Sequence, residues 1–145
     1  MWQTFDEFPI LIAEDSDDDL VLLRRALRSG GFANPRVVTA TGRETIAHFQ
    51  RAMELHPEES FPVLLFLDLL MPDSGGIGVL KWLRDHPHPP ITVVLHTGVD
   101  DEALLAEARE LGANFYLPKG VRSDAIHEVF RRARAEWEQH HLLQT

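Results

Sequence analysis

Four places in this sequence pair a short apolar run with a group that can do chemistry just beyond it. Ile10-Leu11-Ile12-Ala13 ends in Glu14-Asp15, and Val63-Leu64-Leu65-Phe66-Leu67 ends in Asp68. Ile91 to Leu95 is followed closely by Thr97, and Phe115-Tyr116-Leu117 by Lys119. Three carboxylates brought into one small region repel strongly unless a cation lies among them. Hard oxygen ligands with few other donors suit Mg²⁺. A lysine and a hydroxyl facing such an ion suit a phosphoryl group, because both stabilise anionic oxygens. This chemistry exists only if the fold gathers all four places at one edge.

The rest of the chain supplies elements that would gather them. Residues 18–29 read as a helix with Leu20, Leu23, Ala26 and Leu27 on one face, stopped by Gly30-Gly31. Arg36 to Ala40 is a β-branched stretch. Thr41-Gly42-Arg43-Glu44 has capping-box spacing, and Ile46, Phe49, Ala52 and Met53 follow at helical intervals. Pro57 to Pro62 reads as a loop. Residues 63–67 are apolar at every position, which suits a strand buried on both faces of a parallel sheet. Residues 76–84 read as a third helix, and His86-Pro87-His88-Pro89-Pro90 as a rigid turn. Asp100 is expected to cap a fourth helix reaching Leu111, and Ser123 to cap a last helix running to about His141. Strand alternating with helix predicts an α/β fold: a five-stranded parallel sheet, doubly wound, with five helices. In such sheets ligands bind beyond the carboxyl ends of the strands, where the acids, Thr97 and Lys119 all fall.

Composition removes several classes of function. At 44% hydrophobic and 26% charged, the chain is ordinary folded protein rather than disordered. No apolar run approaches the ~20 residues that span a bilayer. Without cysteine there is no disulfide framework, thiolate metal site or cysteine nucleophile. Fourteen basic against 23 acidic residues give a net charge of -9, a poor match for sequence-independent nucleic-acid binding. Residues 1–7 have neither the basic start nor the apolar core of a signal peptide, so a cytoplasmic location is expected. The 145 residues fit one domain.

Taken together, the segments resemble the receiver domain of two-component response regulators, the CheY-like fold of the flavodoxin-like class. The resemblance covers about residues 9–135. It rests on Ile-Leu-Ile-Ala-Glu14-Asp15, Leu-Phe-Leu-Asp68-Leu-Leu-Met71-Pro72, His96-Thr97-Gly98 and Tyr116-Leu-Pro-Lys119, in that order, with 22 positions from the threonine to the lysine. It implies strand order 2-1-3-4-5 and one receiver domain over 1–145, whose last helix and tail, about 123–145, extend past the usual end. Asp68 then looks like the phosphoacceptor, a carboxylate nucleophile forming an acyl phosphate. Glu14, Asp15, Asp68 and the backbone carbonyl of Leu70 look like the Mg²⁺ ligands. Lys119 would contact the phosphoryl group or pair with Asp68 before transfer. Thr97 would hydrogen-bond the phosphoryl group, and Tyr116 would swing inward as that space empties. The result would be a population shift on the surface made by the fourth helix, fifth strand and last helix.

The run Glu14-Asp15-Ser16-Asp17-Asp18-Asp19 and the long segment before the third strand resemble, more narrowly, stand-alone receivers associated with bacterial phytochromes. The implied partner is a sensor histidine kinase. A homodimer through the same helix–strand–helix surface is the favoured assembly. The domain would be no enzyme beyond assisting its own phosphorylation and dephosphorylation. A phosphoryl sink, a relay intermediate and a phosphorylation-independent interaction module remain alternatives. A haloacid-dehalogenase-type hydrolase is disfavoured because Leu70 stands where its second aspartate belongs.

Two departures from the family pattern carry consequences. Gly120 follows Lys119 where most members have a proline in a cis peptide; a cis bond before glycine costs ~3 kcal/mol, so a trans bond is expected. Leu70 and Val99 are apolar where side chains that assist an attacking water often stand, so slow self-hydrolysis is expected. Other residues have plainer readings. Asp17, Asp18 and Asp19 read as first-turn acids favoured by the helix dipole. His86, His88, His140 and His141 read as solvated loop and tail residues, and Trp82 as packing. His96 stands close enough to Thr97 to tune the site by its charge. Ile126, Val129, Phe130, Ala133 and Trp137 form one stripe on the last helix, and its far end either folds back or docks on another chain.

Overall fold

The computed structural model describes residues 4–73, 75–120 and 123–143. Five strands, β1 (Ile10–Ala13), β2 (Arg36–Thr39), β3 (Leu64–Leu67), β4 (Thr92–Thr97) and β5 (Phe115–Pro118), form one parallel sheet in the order β2-β1-β3-β4-β5. This is the order that the resemblance implied. The helices are α1 (Asp17–Ser29), α2 (Gly42–Glu54), α3 (Pro57–Ser60), α4 (Gly75–Asp85), α5 (Glu102–Glu110) and α6 (Ser123–Leu143), preceded by a 3-10 turn at Phe5–Glu7.

Register is what builds the functional edge. Ala13 pairs with Leu67, so Glu14 and Asp68 leave the sheet side by side. Thr97 pairs with Pro118, so Lys119 emerges next to Thr97. Alternation along each strand divides the core in two. Ile10, Ile12, Leu64, Phe66, Val94 and Leu117 face α1 and α6. Leu11, Ala13, Leu65, Leu67, Val93 and Leu95 face α2, α4 and α5. With both faces covered, β1, β3 and β4 are buried throughout, as continuous apolar runs require.

Several expectations need correction. Five helices are expected, whereas the described residues form six, because Pro57–Pro62 is not all loop. Pro57 opens a single helical turn with its φ already preset, and the His56 carbonyl accepts from Glu59 at 2.9 Å and Ser60 at 2.7 Å. Asp101, not Asp100, caps α5; its Oδ1 accepts from the amides of Ala103 at 2.9 Å and Leu104 at 3.2 Å. Two adjacent acids offer the same cap, and only the backbone geometry selects between them. Strand β4 runs on through His96 to Thr97, so Thr97 ends the strand rather than following it. Thr41 caps α2 through the Glu44 amide at 3.0 Å, but the Glu44 carboxylate reaches past Thr41 to the Ala40 amide at 2.9 Å. The histidines at 86 and 88 are not merely solvated. His86 stacks on Trp82 at 4.3 Å, Trp82 on Phe49, Phe49 on Phe61, and Phe61 on His88 at 5.4 Å, a column of five nearly parallel rings. His140 is exposed, 3.7 Å from Glu136. The expected Ser123 cap and the side chains of His141, Leu142 and Leu143 lie outside the described residues.

The stripe on α6 folds back on its own domain. Trp137 is 4% exposed and meets the rings of Phe5 at 5.6 Å and Phe8 at 5.4 Å. Its Nε1 donates to the carbonyl of Pro90, just before β4, at 3.2 Å. Asn34, itself buried, ties the same N-terminal segment down by donating to the carbonyls of Phe5 and Phe8 at 2.7 and 3.0 Å. Burying one large aromatic side chain contributes roughly 1.5–3 kcal/mol, enough to order a short terminal segment. Trp137→Ala is expected to lower stability by about 3–5 kcal/mol in urea unfolding followed by circular dichroism. A loss below about 1 kcal/mol would mean that the end of α6 is not part of the core.

Candidate functional site

The carboxyl edge of β1, β3, β4 and β5 gathers the acids, the threonine and the lysine. The Asp68 amide donates to the carbonyl of Ala13 at 3.1 Å, and the Glu14 amide to that of Thr39 at 2.9 Å. Ladder bonding therefore continues one step past the strand ends and fixes where both acids start. Ser16 then caps α1 by accepting from the Asp19 amide at 3.4 Å, and its own amide donates to Glu14 Oε2 at 3.1 Å. On β5, the amide of Lys119 donates to the carbonyl of Thr97 at 3.1 Å. Gly120 follows with φ at 85°, and no peptide bond among the described residues is cis. The bond from Lys119 to Gly120 is trans, as expected.

Lys119 Nζ is the hub. It donates to Asp68 Oδ2 at 2.7 Å, to Asp19 Oδ2 at 2.8 Å and to Glu14 Oε2 at 3.1 Å. Asp68 Oδ1 accepts from the Thr97 hydroxyl at 2.9 Å and from the Leu70 amide at 3.0 Å. Beyond Thr97 the bonding runs outward. The Val99 amide donates to Thr97 Oγ1 at 3.3 Å, and the Tyr116 hydroxyl donates to the Val99 carbonyl at 2.9 Å. Tyr116 is half-buried on the edge strand.

The structure thus brings together Glu14, Asp68, Thr97 and Lys119, with Tyr116 two hydrogen bonds from Thr97 by way of Val99. Asp15 is beside them: one oxygen each of Glu14, Asp15 and Asp68 lies within 4.8 Å of the others. Glu14 and Asp68 are buried, while Asp15 is exposed. The set fits a hard divalent cation on one further ground. Glu14 Oε1 is buried and has no hydrogen bond, although Lys119 Nζ is 3.0 Å away. A buried carboxylate oxygen without a hydrogen bond, facing an ammonium shared by three acids, is what a cation would satisfy.

Asp19 is the residue that sequence reasoning missed. Its position in the first turn of α1 predicts an acid favoured by the helix dipole, but its carboxylate shares the Lys119 ammonium. A dipole acid and a site acid look alike in sequence; only the rotation of α1 about its Ser16 cap aims the third acid of the run inward. His96 is buried, with Nδ1 3.8 Å from Glu14 Oε1.

Electrostatics follow burial and the lysine. Burial raises the Glu14 carboxyl to about 7, against the opposing hydrogen bond from Lys119. The Lys119 hydrogen bond holds Asp19 below the usual carboxylate range. Burial disfavours the charge on Lys119, but hydrogen bonds to Asp19, Asp68 and Glu14 outweigh it and raise the ammonium above its ordinary value. Burial lowers His96, with the Lys119 charge adding to it.

The pattern that describes the response regulator receiver domain matches residues 10–131. The chain belongs to that family. Among relatives of established role, the transcriptional regulatory protein LnrK of Bacillus subtilis is 36% identical over 89 residues, 61% of this chain and 38% of that protein. The chain spans less than half the length of the curated relatives it matches. Among solved structures, the bacteriophytochrome response regulator AtBRR superposes with a TM-score of 0.69 at 30% identity, covering 85% of this receiver and 89% of that chain. The phosphorylated cyanobacterial phytochrome response regulator RcpA superposes with a TM-score of 0.71 at 25% identity, covering 89% and 92%. Among the described residues no helix of this receiver is long and apolar enough to cross a membrane.

The raised Glu14 value has a measurable sign. Between about pH 5 and 7 the folded receiver keeps a proton that the unfolded chain has released, so stability falls as pH rises through that window. In metal-free buffer, urea unfolding of the wild type should weaken from pH 5 to 7.5 relative to Glu14→Gln. Parallel curves would show that Glu14 titrates as an ordinary exposed acid.

Proposed function

We propose that this receiver acts as a stand-alone response regulator in which Asp68 accepts a phosphoryl group from a sensor histidine kinase. The observation that carries the reading is the shared grip on one carboxylate: Lys119 on Asp68 Oδ2, Thr97 on Oδ1, and two further acids within 4.8 Å. An Asp68 oxygen attacks phosphorus of the phosphohistidine, the P–O bond forms as the P–N bond breaks, and the imidazole leaves to take a proton from its surroundings. Glu14, Asp15, Asp68 and the Leu70 carbonyl would hold Mg²⁺, which supplies positive charge beside the transferring oxygens. Lys119, charged at every physiological pH, neutralises anionic oxygen as the transfer proceeds. Thr97 turns its hydroxyl from Asp68 to the new phosphoryl group, which changes its bond to Val99 and so the tether of Tyr116.

The receiver assists its own phosphorylation and dephosphorylation and acts on no small-molecule substrate. Its likeness to RcpA and AtBRR along about nine-tenths of their chains supports a phytochrome-type kinase as partner. The acid excess of the chain supports a role without nucleic acid, and residues 1–7, which lack a signal-peptide pattern, support a cytoplasmic one. Output is read as a homodimer through α5, β5 and α6, where Leu105, Tyr116 and Val129 line a groove edged by Arg109 and Arg132. Trp137 takes no part in that contact, being enclosed by its own domain.

Intact-mass measurement with acetyl phosphate and Mg²⁺ should show one phosphoryl adduct on the wild type and none on Asp68→Asn. Thr97→Ala should still form it but without the switch, while Lys119→Ala should form it more slowly. Leu70 is 64% exposed and offers an attacking water no hydrogen bond, so the adduct should last minutes or longer. Decay within seconds, or no Mg²⁺-dependent adduct at all, would sink the reading. Light scattering should find a dimer with beryllofluoride bound; a species of only 16.5 kDa under both conditions would remove the dimer.

A further inference from the structure

Asp73 lies five residues past Asp68 on the loop into α4, and nothing described so far uses it. Among the described residues it is the one non-glycine with a positive φ, 67°. Its carboxylate reaches across to α2: Oδ1 accepts from the Gly42 amide and Oδ2 from the Arg43 amide, both at 3.1 Å. These are the first two amides of the helix, donors that no intrahelical carbonyl can satisfy. The helix's own Thr41 covers only the Glu44 amide. The same turn also braces the other acidic segment. Thr45 Oγ1 lies 2.7 Å from Thr39 Oγ1, and the Thr39 carbonyl accepts from the Glu14 amide at 2.9 Å. Both segments that carry the acids therefore lean on the first turn of α2.

We infer that Asp73 is a positioning residue for the cation site: it clamps the loop after Asp68 to α2 and so holds Asp68 and Leu70 in register with Glu14 and Asp15. The inference rests on the reading of that acid cluster as the Mg²⁺ site. Aspartate serves two needs here. It tolerates the left-handed backbone, as asparagine and glycine also do, and it alone offers two accepting oxygens. If the clamp strengthens cation binding, the cation strengthens the clamp by the same factor.

The test is Mg²⁺ calorimetry on the full chain, wild type against Asp73→Gly and Asp73→Asn, together with hydrogen exchange at the Gly42 and Arg43 amides. Asp73→Gly suits the backbone but loses the clamp, and should weaken Mg²⁺ binding on the order of tenfold or more. Asp73→Asn, with one accepting oxygen, should fall between. In the wild type, saturating Mg²⁺ should slow exchange at both amides; in Asp73→Gly it should not. Wild-type affinity in both variants, with exchange indifferent to Mg²⁺, would overturn the inference and leave Asp73 a helix cap. The exchange measurement on the wild type holds even if a variant folds poorly. A wild type that binds no Mg²⁺ would overturn the underlying site reading and this inference with it.

Discussion

One ammonium group offsets the charge of an acid-crowded sheet edge. Lys119 Nζ touches three carboxylates, two of them buried, and a fourth acid stands exposed alongside. Four acids against one lysine leave a net negative hollow. Removing the lysine would strand buried charge, a loss of several kcal/mol in comparable pairs. Removing the acids would strand the lysine. The edge is held together because neither side is complete alone, and its surplus of negative charge suits the cation proposed for it.

From that hub, order spreads along two routes. One is a run of hydrogen bonds from Asp68 through Thr97 and Val99 to Tyr116, which joins a dry carboxylate to a half-buried surface ring. The other is the first turn of α2, against which both acid-bearing segments are braced. The first route contains a rotatable hydroxyl and can change partners. The second is made of backbone amides at a helix start and resists change. A signalling site needs both, a part that moves and a frame against which the movement is defined.

Much of this was legible in the sequence because the relevant signals are local. A strand buried on both faces is apolar at every position, so the step from Leu67 to Asp68 or from Ala13 to Glu14 marks both the end of the strand and the start of the site. Strand order and the pairing of Lys119 with Asp68 were implied by the family resemblance that four motifs in series carry. What was illegible depends on distance in the chain. Asp19 resembles any acid in a first helical turn until the sheet places Lys119 opposite. Asp73 caps a helix that starts 31 residues earlier, and no window of sequence contains both. Trp137 read as an extension with two possible fates, since its partners Phe5, Phe8 and Pro90 lie at the far end of the chain or before another strand. The helical turn at Pro57 was hidden because four residues are too few for periodicity to show.

The anchoring of α6 has a mechanical consequence. Its far end is bolted by Trp137 to the start of β4 and to the N-terminal segment, while its near end follows Lys119 and Gly120. A strut fixed below cannot slide to absorb displacement above. Displacement at the sheet edge is then not passed on by sliding α6, and the left-handed backbone of Gly120 is one place beside Lys119 where it can be absorbed.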